Sequence, residues 1–178
     1  MRLAAPPAIF PTATSWLAPL DSAIEGPIVS DGSRLFLATR DRSLHAFDLA
    51  TGAALWRVGN RAGALAARPG VLVVADLDGT VWGVDPATGS GRWKSASGVE
   101  GRLPPVFAGD RVLILGKGLA ALDAANGKVL WAVADVSSVV PPALTAGRLY
   151  VAAAGGVLRC RALGDGATIW VKKTGFPF

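Results

Sequence analysis

The sequence holds one cysteine and one histidine in 178 residues. Cys160 alone cannot form an internal disulfide, so cysteine usage carries no record of an oxidising compartment. With His45 as the single imidazole, the His and Cys clusters that hold zinc are excluded. Charge is also scarce: 17% of residues are charged, against 51% hydrophobic. Such an apolar load suits sheets covered on both faces. Yet no run of about 18 apolar residues occurs, so a spanning helix is not expected. Helical periodicity is missing throughout.

The charge that exists leans basic, with 18 Lys and Arg against 13 Asp and Glu and a net charge of +5. The bases are dispersed, densest at Arg40–Arg42, Arg57–Arg61, Arg159–Arg161 and Lys172–Lys173. No aromatic–basic interleaving marks a nucleic-acid platform, so a solvated surface is expected and no nucleic-acid partner. The N-terminal "MRLAAPPAIFPTATSWLAPL" has Arg2 and an apolar stretch. Pro6, Pro7 and Pro11 interrupt it, and no clear secretory signal is read.

What the chain does have is a repeat. "FDLATGAALW" (Phe47 to Trp56), "VDPATGSGRW" (Val84 to Trp93), "LDAANGKVLW" (Leu122 to Trp131) and the worn "RALGDGATIW" (Arg161 to Trp170) recur at near-constant spacing. Trp16 lies one repeat length further upstream. Each unit opens with a short apolar segment after Pro or Gly: "PIVS", "ALAA", "PPVF", "PPAL". A second strand follows ("RLFLAT", "VLVVAD", "RVLILG", "RLYVAA"), then a tight turn ("RDRS", "DLDG", "GKG", "AGG"). A third strand runs into the motif, and a fourth carries the tryptophan. Four short strands per unit, separated by turn signals, predict an all-β protein.

The motif has a physical reading. Asp48, Asp85 and Asp123, with Thr51, Thr88 and Asn126, can accept or donate hydrogen bonds that fix a chain reversal. Gly52, Gly89, Gly127 and Gly166 supply a backbone conformation that a side chain resists. Trp56, Trp93, Trp131 and Trp170 follow at a fixed distance, each placed to cover the seam to the next sheet; the first three are expected to be largely buried. One four-stranded unit cannot bury both faces alone, so the units must stack, and radial stacking makes a propeller.

The pattern "A-x-D-x-x-T-G-x-x-x-W" resembles the tryptophan-docking motif of pyrroloquinoline-quinone-like β-propeller repeats. It stands here as "AFDLATGAALW" and "ALDAANGKVLW", and as "GVDPATGSGRW" with Gly83 in the Ala slot. "CRALGDGATIW" departs most, with Ala162 for Asp and Asp165 for Thr. The resemblance implies a β-propeller of four four-stranded antiparallel blades, half of an eight-bladed ring if the blades turn by the family's usual small angle. The expected divisions are an N-terminal segment 1–25 with a partial blade strand around Trp16, and a propeller domain 26–178 with blades near 26–60, 61–98, 99–138 and 139–175.

Family members include quinoprotein dehydrogenases, BamB-like outer-membrane assembly scaffolds and binding domains. The enzymes use calcium-bound quinone and an acidic base, and many have a disulfide between adjacent cysteines. One cysteine forbids that disulfide, and no carboxylate cluster suggests calcium plus a base. The resemblance therefore implies a non-catalytic scaffold for a protein partner, with no cofactor, in the periplasm or cell envelope. The alternative is a domain that binds the quinone with calcium or another ligand, or a fragment of a larger quinoprotein dehydrogenase. A homodimer closing a larger ring is a further expectation.

Other residues have plainer readings. "DLDG" (Asp76 to Gly79) has two carboxylates but lacks the rest of a calcium loop, and aligns with hairpin turns. "GKG" lacks phosphate-loop spacing. Cys160 fills a small-residue slot. His45 reads as packed or exposed rather than a ligand. Trp82 stands outside the repeated tryptophan slot and is either core or a recognition spot.

Overall fold

The computed structural model describes residues 15–61, 63–138 and 140–175. The question of a leader at residues 1–14 lies outside them. No helix occurs among the described residues, and so none that could cross a membrane. Four antiparallel sheets follow one another along the chain. The first comprises β1 (Ile24–Ser30), β2 (Arg34–Thr39), β3 (Ser43–Asp48) and β4 (Ala54–Val58). The second comprises β5 (Ala64–Arg68), β6 (Val71–Ala75), β7 (Thr80–Val84) and β8 (Gly91–Ala96). The third holds β9 (Glu100–Gly101), β10 (Val106–Ala108), β11 (Arg111–Asp123) and β12 (Val129–Ser137). The fourth holds β13 (Ala143–Thr145), β14 (Arg148–Ala153), β15 (Val157–Ala162) and β16 (Thr168–Lys173). In the first, second and fourth sheets the strands pair in sequence order.

The third sheet departs from the simple plan. β11 runs for 13 residues straight through "GKG", where a tight turn was expected. Extended, it would span about 43 Å. Yet the Ala124 N–H donates to the Asp110 carbonyl at 2.9 Å, so the residues flanking its two ends touch. β11 is therefore a hairpin folded at Gly116–Gly118. The turn residues themselves carry ladder bonds, because β9 pairs with Gly116 and Lys117. Gly116 is obligatory there: a Cβ would lie 1.9 Å from the Glu100 carbonyl oxygen.

The second strands are apolar on both faces because a sheet lies on each side of them. Leu72, Val73, Val74 and Ala75 of β6 are all almost fully buried. Leu72 and Val74 join Phe36, Ala38, Leu44 and Ala46 in a core between the first and second sheets. Val73, Ala75 and Val81 join Val112, Ile114 and Leu122 between the second and third. Leu113, Leu115 and Leu119 meet Leu149 and Val151 between the third and fourth. Each such Leu, Val, Ile or Phe side chain contributes about 1.5–3 kcal/mol by burial. Four sheets thus have three apolar seams, and among the described residues no core joins the fourth sheet to the first.

A single contact type closes every seam. The Trp56 indole lies across Gly89 of the next sheet, and its N–H donates to the Pro86 carbonyl at 3.0 Å. Trp93 does the same over Gly127 with the Ala124 carbonyl at 3.3 Å, and Trp131 over Gly166 with the Leu163 carbonyl at 3.1 Å. Trp16 covers Gly52 and donates to the Leu49 carbonyl at 3.2 Å. It does so without the partial strand expected around it: residues 15–20 carry no strand assignment. Trp131 is buried, whereas Trp56 and Trp93 are only partly so, because the outer edge of each ring faces water. Trp93→Ala is expected to cost about 3 kcal/mol, the low end for a large aromatic. A urea midpoint unchanged from the parent would contradict this seam energetics.

Candidate functional site

The four motif turns share one backbone. The Gly52 N–H donates to the Asp48 carbonyl at 2.9 Å, and Gly89, Gly127 and Gly166 repeat the bond to Asp85, Asp123 and Ala162. All four glycines have φ between 72° and 75°. In the first three turns the carboxylate reinforces this loop. Asp48 Oδ1 accepts from the Ala50 N–H and from both the N–H and hydroxyl of Thr51. Asp85 accepts from the Ala87 and Thr88 N–H groups, and Asp123 from those of Ala125 and Asn126. The Thr51 N–H, then its hydroxyl, hold the Asp48 carboxyl below its ordinary pKa. The Arg92 guanidinium first, then the Ala87 N–H, do so for Asp85.

The fourth turn has no such carboxylate, since Ala162 stands in its place. Arg161 fixes it from the other side: its guanidinium donates to the Gly166 carbonyl at 2.7 Å and to both oxygens of Asp135. Arg61 caps the Gly89 carbonyl similarly at 3.0 Å. Neither arginine stood out in the sequence, where each sits in a dispersed basic group. The substitution of Ala162 for Asp was the available signal, because a turn that loses one anchor needs another.

A register shift precedes each tryptophan, between Ala46/Phe47, Gly83/Val84, Ala121/Leu122 and Cys160/Arg161. It leaves the residue before the tryptophan unpaired and turned outward. That explains why Leu55, Leu130 and Ile169 are 40–46% exposed. A β-bulge re-aims a side chain in this way.

The remaining candidates fall into place. Cys160 is fully buried opposite Trp170. Asp76 to Gly79 form the expected hairpin turn, with Gly79 N–H bonded to the Asp76 carbonyl at 3.2 Å. Trp82 packs at the seam between the first two sheets, with the Lys94 ammonium 5.5 Å from its ring centre. His45 is half-buried, stacked on Phe47, with Nε2 3.1 Å from the Thr39 hydroxyl. Burial, then the nearby Arg57 charge, lower its pKa. Asp41 beside it falls to about 2, chiefly through the Thr39 hydroxyl.

A cleft of about 590 Å³ opens where turns of three successive sheets converge. Arg40, Arg42 and Arg102 line it, with Glu25, Asp76 and the exposed Leu77. Arg42 reaches Asp76 at 3.5 Å, and Arg102 reaches Glu100 at 3.2 Å. Arg42 and Arg102 are thus each paired with a carboxylate, and Arg40 is the lining guanidinium without an ion pair among the described residues. Among the described residues no three His, Cys, Asp or Glu side chains converge.

Residues 11–101 and 77–176 match the family model described as outer membrane protein assembly factor BamB. The chain belongs to that family. It superposes on BamB from Moraxella catarrhalis with TM-score 0.76 and 24% identity, over 89% of this chain and 56% of that one. It also superposes on the quinohemoprotein alcohol dehydrogenase ADHIIG from Pseudomonas putida HK5, with TM-score 0.68 and 15% identity, over 88% of this chain and 35% of the enzyme. The computationally designed Ika8 protein matches with TM-score 0.68 and 17% identity, over 82% of this chain and 48% of the design. These likenesses establish the shared β-propeller fold of repeats. The chain spans about half the length of the BamB structure. No curated protein sequence matches it at the level that marks a relative.

Two predictions follow from the turns and their neighbours. Gly89→Val should lower the melting temperature far more than Ser90→Val, since a Cβ at Gly89 meets Trp56 at 2.8 Å and φ is +75°. Equal shifts would contradict the turn assignment. The second concerns pH. A His with a lowered folded pKa is protonated more readily when unfolded, so stability should ease as pH falls through about 6.5. Carboxylates with lowered folded pKa hold their contribution above about 4 and lose it as pH falls towards 2. His45→Gln should remove the first decline and Asp41→Asn should soften the second, both read from urea midpoints across pH.

Proposed function

We propose that this chain is a non-catalytic β-propeller scaffold that binds a protein partner during outer-membrane protein assembly, at the envelope. The observation that carries the reading is the open cleft lined by Arg40, Arg42 and Arg102. Its walls come from turns of three sheets, so the arginines are spaced by the fold and not by one flexible loop. Guanidinium groups in that arrangement favour a carboxylate-bearing segment, by bidentate hydrogen bonds and by steering its approach. Exposed Leu77 at the rim supplies an apolar contact beside them. Membership of the BamB family supports the class of partner. The likeness to quinohemoprotein dehydrogenases, at 15% identity, supports the fold alone.

A photo-crosslinker placed at Leu77 in the source cell is the test. It should capture a component of the outer-membrane assembly machinery. Combined Arg40→Glu, Arg42→Glu and Arg102→Glu should abolish that capture while leaving the melting temperature nearly unchanged, because all three side chains are solvent-exposed. Capture indifferent to the triple reversal would reject the cleft. A saturable absorbance change with added quinone and calcium, followed by dye reduction with an alcohol, would reject the scaffold reading.

A further inference from the structure

A short hairpin joins β1 to β2, β5 to β6, β10 to β11 and β13 to β14. Two residues flank it in each sheet: Asp31 and Arg34, Arg68 and Val71, Ala108 and Arg111, Thr145 and Arg148. Their side chains decide what fills the end of each internal seam. In the first sheet the buried Asp31 holds its own Arg34 at 3.0 Å. In the second, Arg68 crosses to the third sheet, stacks 4.7 Å from the centre of the Phe107 ring and donates to the Gly109 carbonyl. In the third, Ala108 stands where the first sheet has Asp31. Arg111 takes the place of Arg34 without that carboxylate.

A cleft of about 650 Å³ opens at this point, between the third and fourth sheets. Arg111 shares a strand face with Leu113 and Leu115, which pack towards the fourth sheet, so its side chain is directed into the seam. It is half-buried, its Nε is enclosed, and it makes no hydrogen bond or ion pair among the described residues. Leu144 and Leu163 line the opposite wall. Both walls are preformed. The Leu163 N–H donates to the Gly147 carbonyl at 2.9 Å, and the Leu163 carbonyl accepts the Trp131 indole N–H at 3.1 Å. Across the cleft, the Asp110 carbonyl accepts from the Ala124 N–H at 2.9 Å. The site lies where the second strands begin. Arg40, Arg42 and Arg102 gather at the other end of those strands, and the two clefts share no residue.

We propose that this cleft binds a single carboxylate carried on a compact branched apolar group, with the carboxylate lying on Arg111 as Asp31 lies on Arg34. A planar carboxylate offers a guanidinium two parallel hydrogen bonds. It also satisfies an enclosed donor that otherwise loses its water without compensation. Leu144 and Leu163 give the apolar group its contact. Asp110 is exposed at the mouth and has no ion pair among the described residues, so it repels further negative charge. A carboxylate monoanion is therefore favoured over phosphate or a polyanion. A free branched-chain acid and the C-terminus of a chain that ends in leucine present this same group.

Two-dimensional NMR of the full chain, read at the Arg111 Nε–H and the Leu163 amide, tests the proposal. The probes are isocaproate and N-acetyl-leucine, with their uncharged amides and inorganic phosphate as controls. Both carboxylates should shift the two signals saturably, and the amides should not. Arg111→Gln should weaken binding, followed at the Leu163 amide, by at least roughly tenfold, as loss of a charge-assisted hydrogen bond does. Asp110→Asn should tighten it. Ala108→Asp should rebuild the Asp31–Arg34 pair in the third sheet, which moves the Nε–H signal without ligand and abolishes binding. Tighter binding of N-acetyl-leucine than of isocaproate assigns the site to a chain terminus; the reverse order assigns it to a free acid. Absence of a shift with either carboxylate, an equal response to the amides, tighter binding of phosphate, or binding indifferent to Arg111→Gln would each overturn the proposal.

Discussion

An indole laid over a glycine is the contact on which this architecture depends. The sheets meet through flat apolar faces, which pack well but do not by themselves fix an angle. The Trp N–H to carbonyl bond adds direction, and it recurs at 3.0, 3.3 and 3.1 Å across the three internal seams. The glycine is demanded twice over. Its positive φ suits the turn, and the ring lies where a Cβ would be, at 2.8 Å for Gly89 and 2.3 Å for Gly127. Turn chemistry and inter-sheet packing are thus one constraint, so the motif spans both the turn and the following strand.

Much of this was legible in the sequence because the constraint repeats. One "D-x-x-T-G" is an ordinary turn signal; three in register with a following tryptophan specify sheets that must stack. The parts that escaped notice are those without a residue signature. The bulge at Ala46/Phe47 and its counterparts changes pairing, not composition, so Leu55 and Leu130 read as ordinary alternation. "GKG" was legible as a turn, but not that β9 would pair with it and merge both arms into β11. The segment around Trp16 was expected to be a strand. The indole found its glycine on the first sheet, but residues 15–20 pair with no strand. Arg161 was hidden because its importance lies in the absence of a carboxylate at Ala162.

The polar groups divide into two populations. Motif aspartates use Oδ1 inside their own turns, and Asp85 gives its Oδ2 to Arg92 as well. Arg40 and Arg42, by contrast, project from a loop between β2 and β3 whose geometry is fixed by other atoms: the Arg42 N–H bonds the Thr39 carbonyl, and Asp41 is held by Thr39 and Ser43. Their own turn does not consume their charge: Arg42 reaches Asp76 of the next sheet, and Arg40 has no ion pair among the described residues. The same division explains why a basic balance dispersed in sequence becomes local in space. Turns from separate repeats arrive at one end of the molecule and bring their arginines together.

The bulge has a consequence for how these molecules avoid one another. Every sheet ends in an outer strand whose unpaired backbone groups could template a foreign strand. The extra residue interrupts the flat ladder that such addition requires, and it recurs on all four outer strands. Charged side chains reinforce the interruption: Arg57 on β4, Lys94 on β8, Asp135 on β12, and Lys172 with Lys173 on β16. The circumference is therefore a poor surface for uncontrolled β-aggregation, although it is where every sheet terminates.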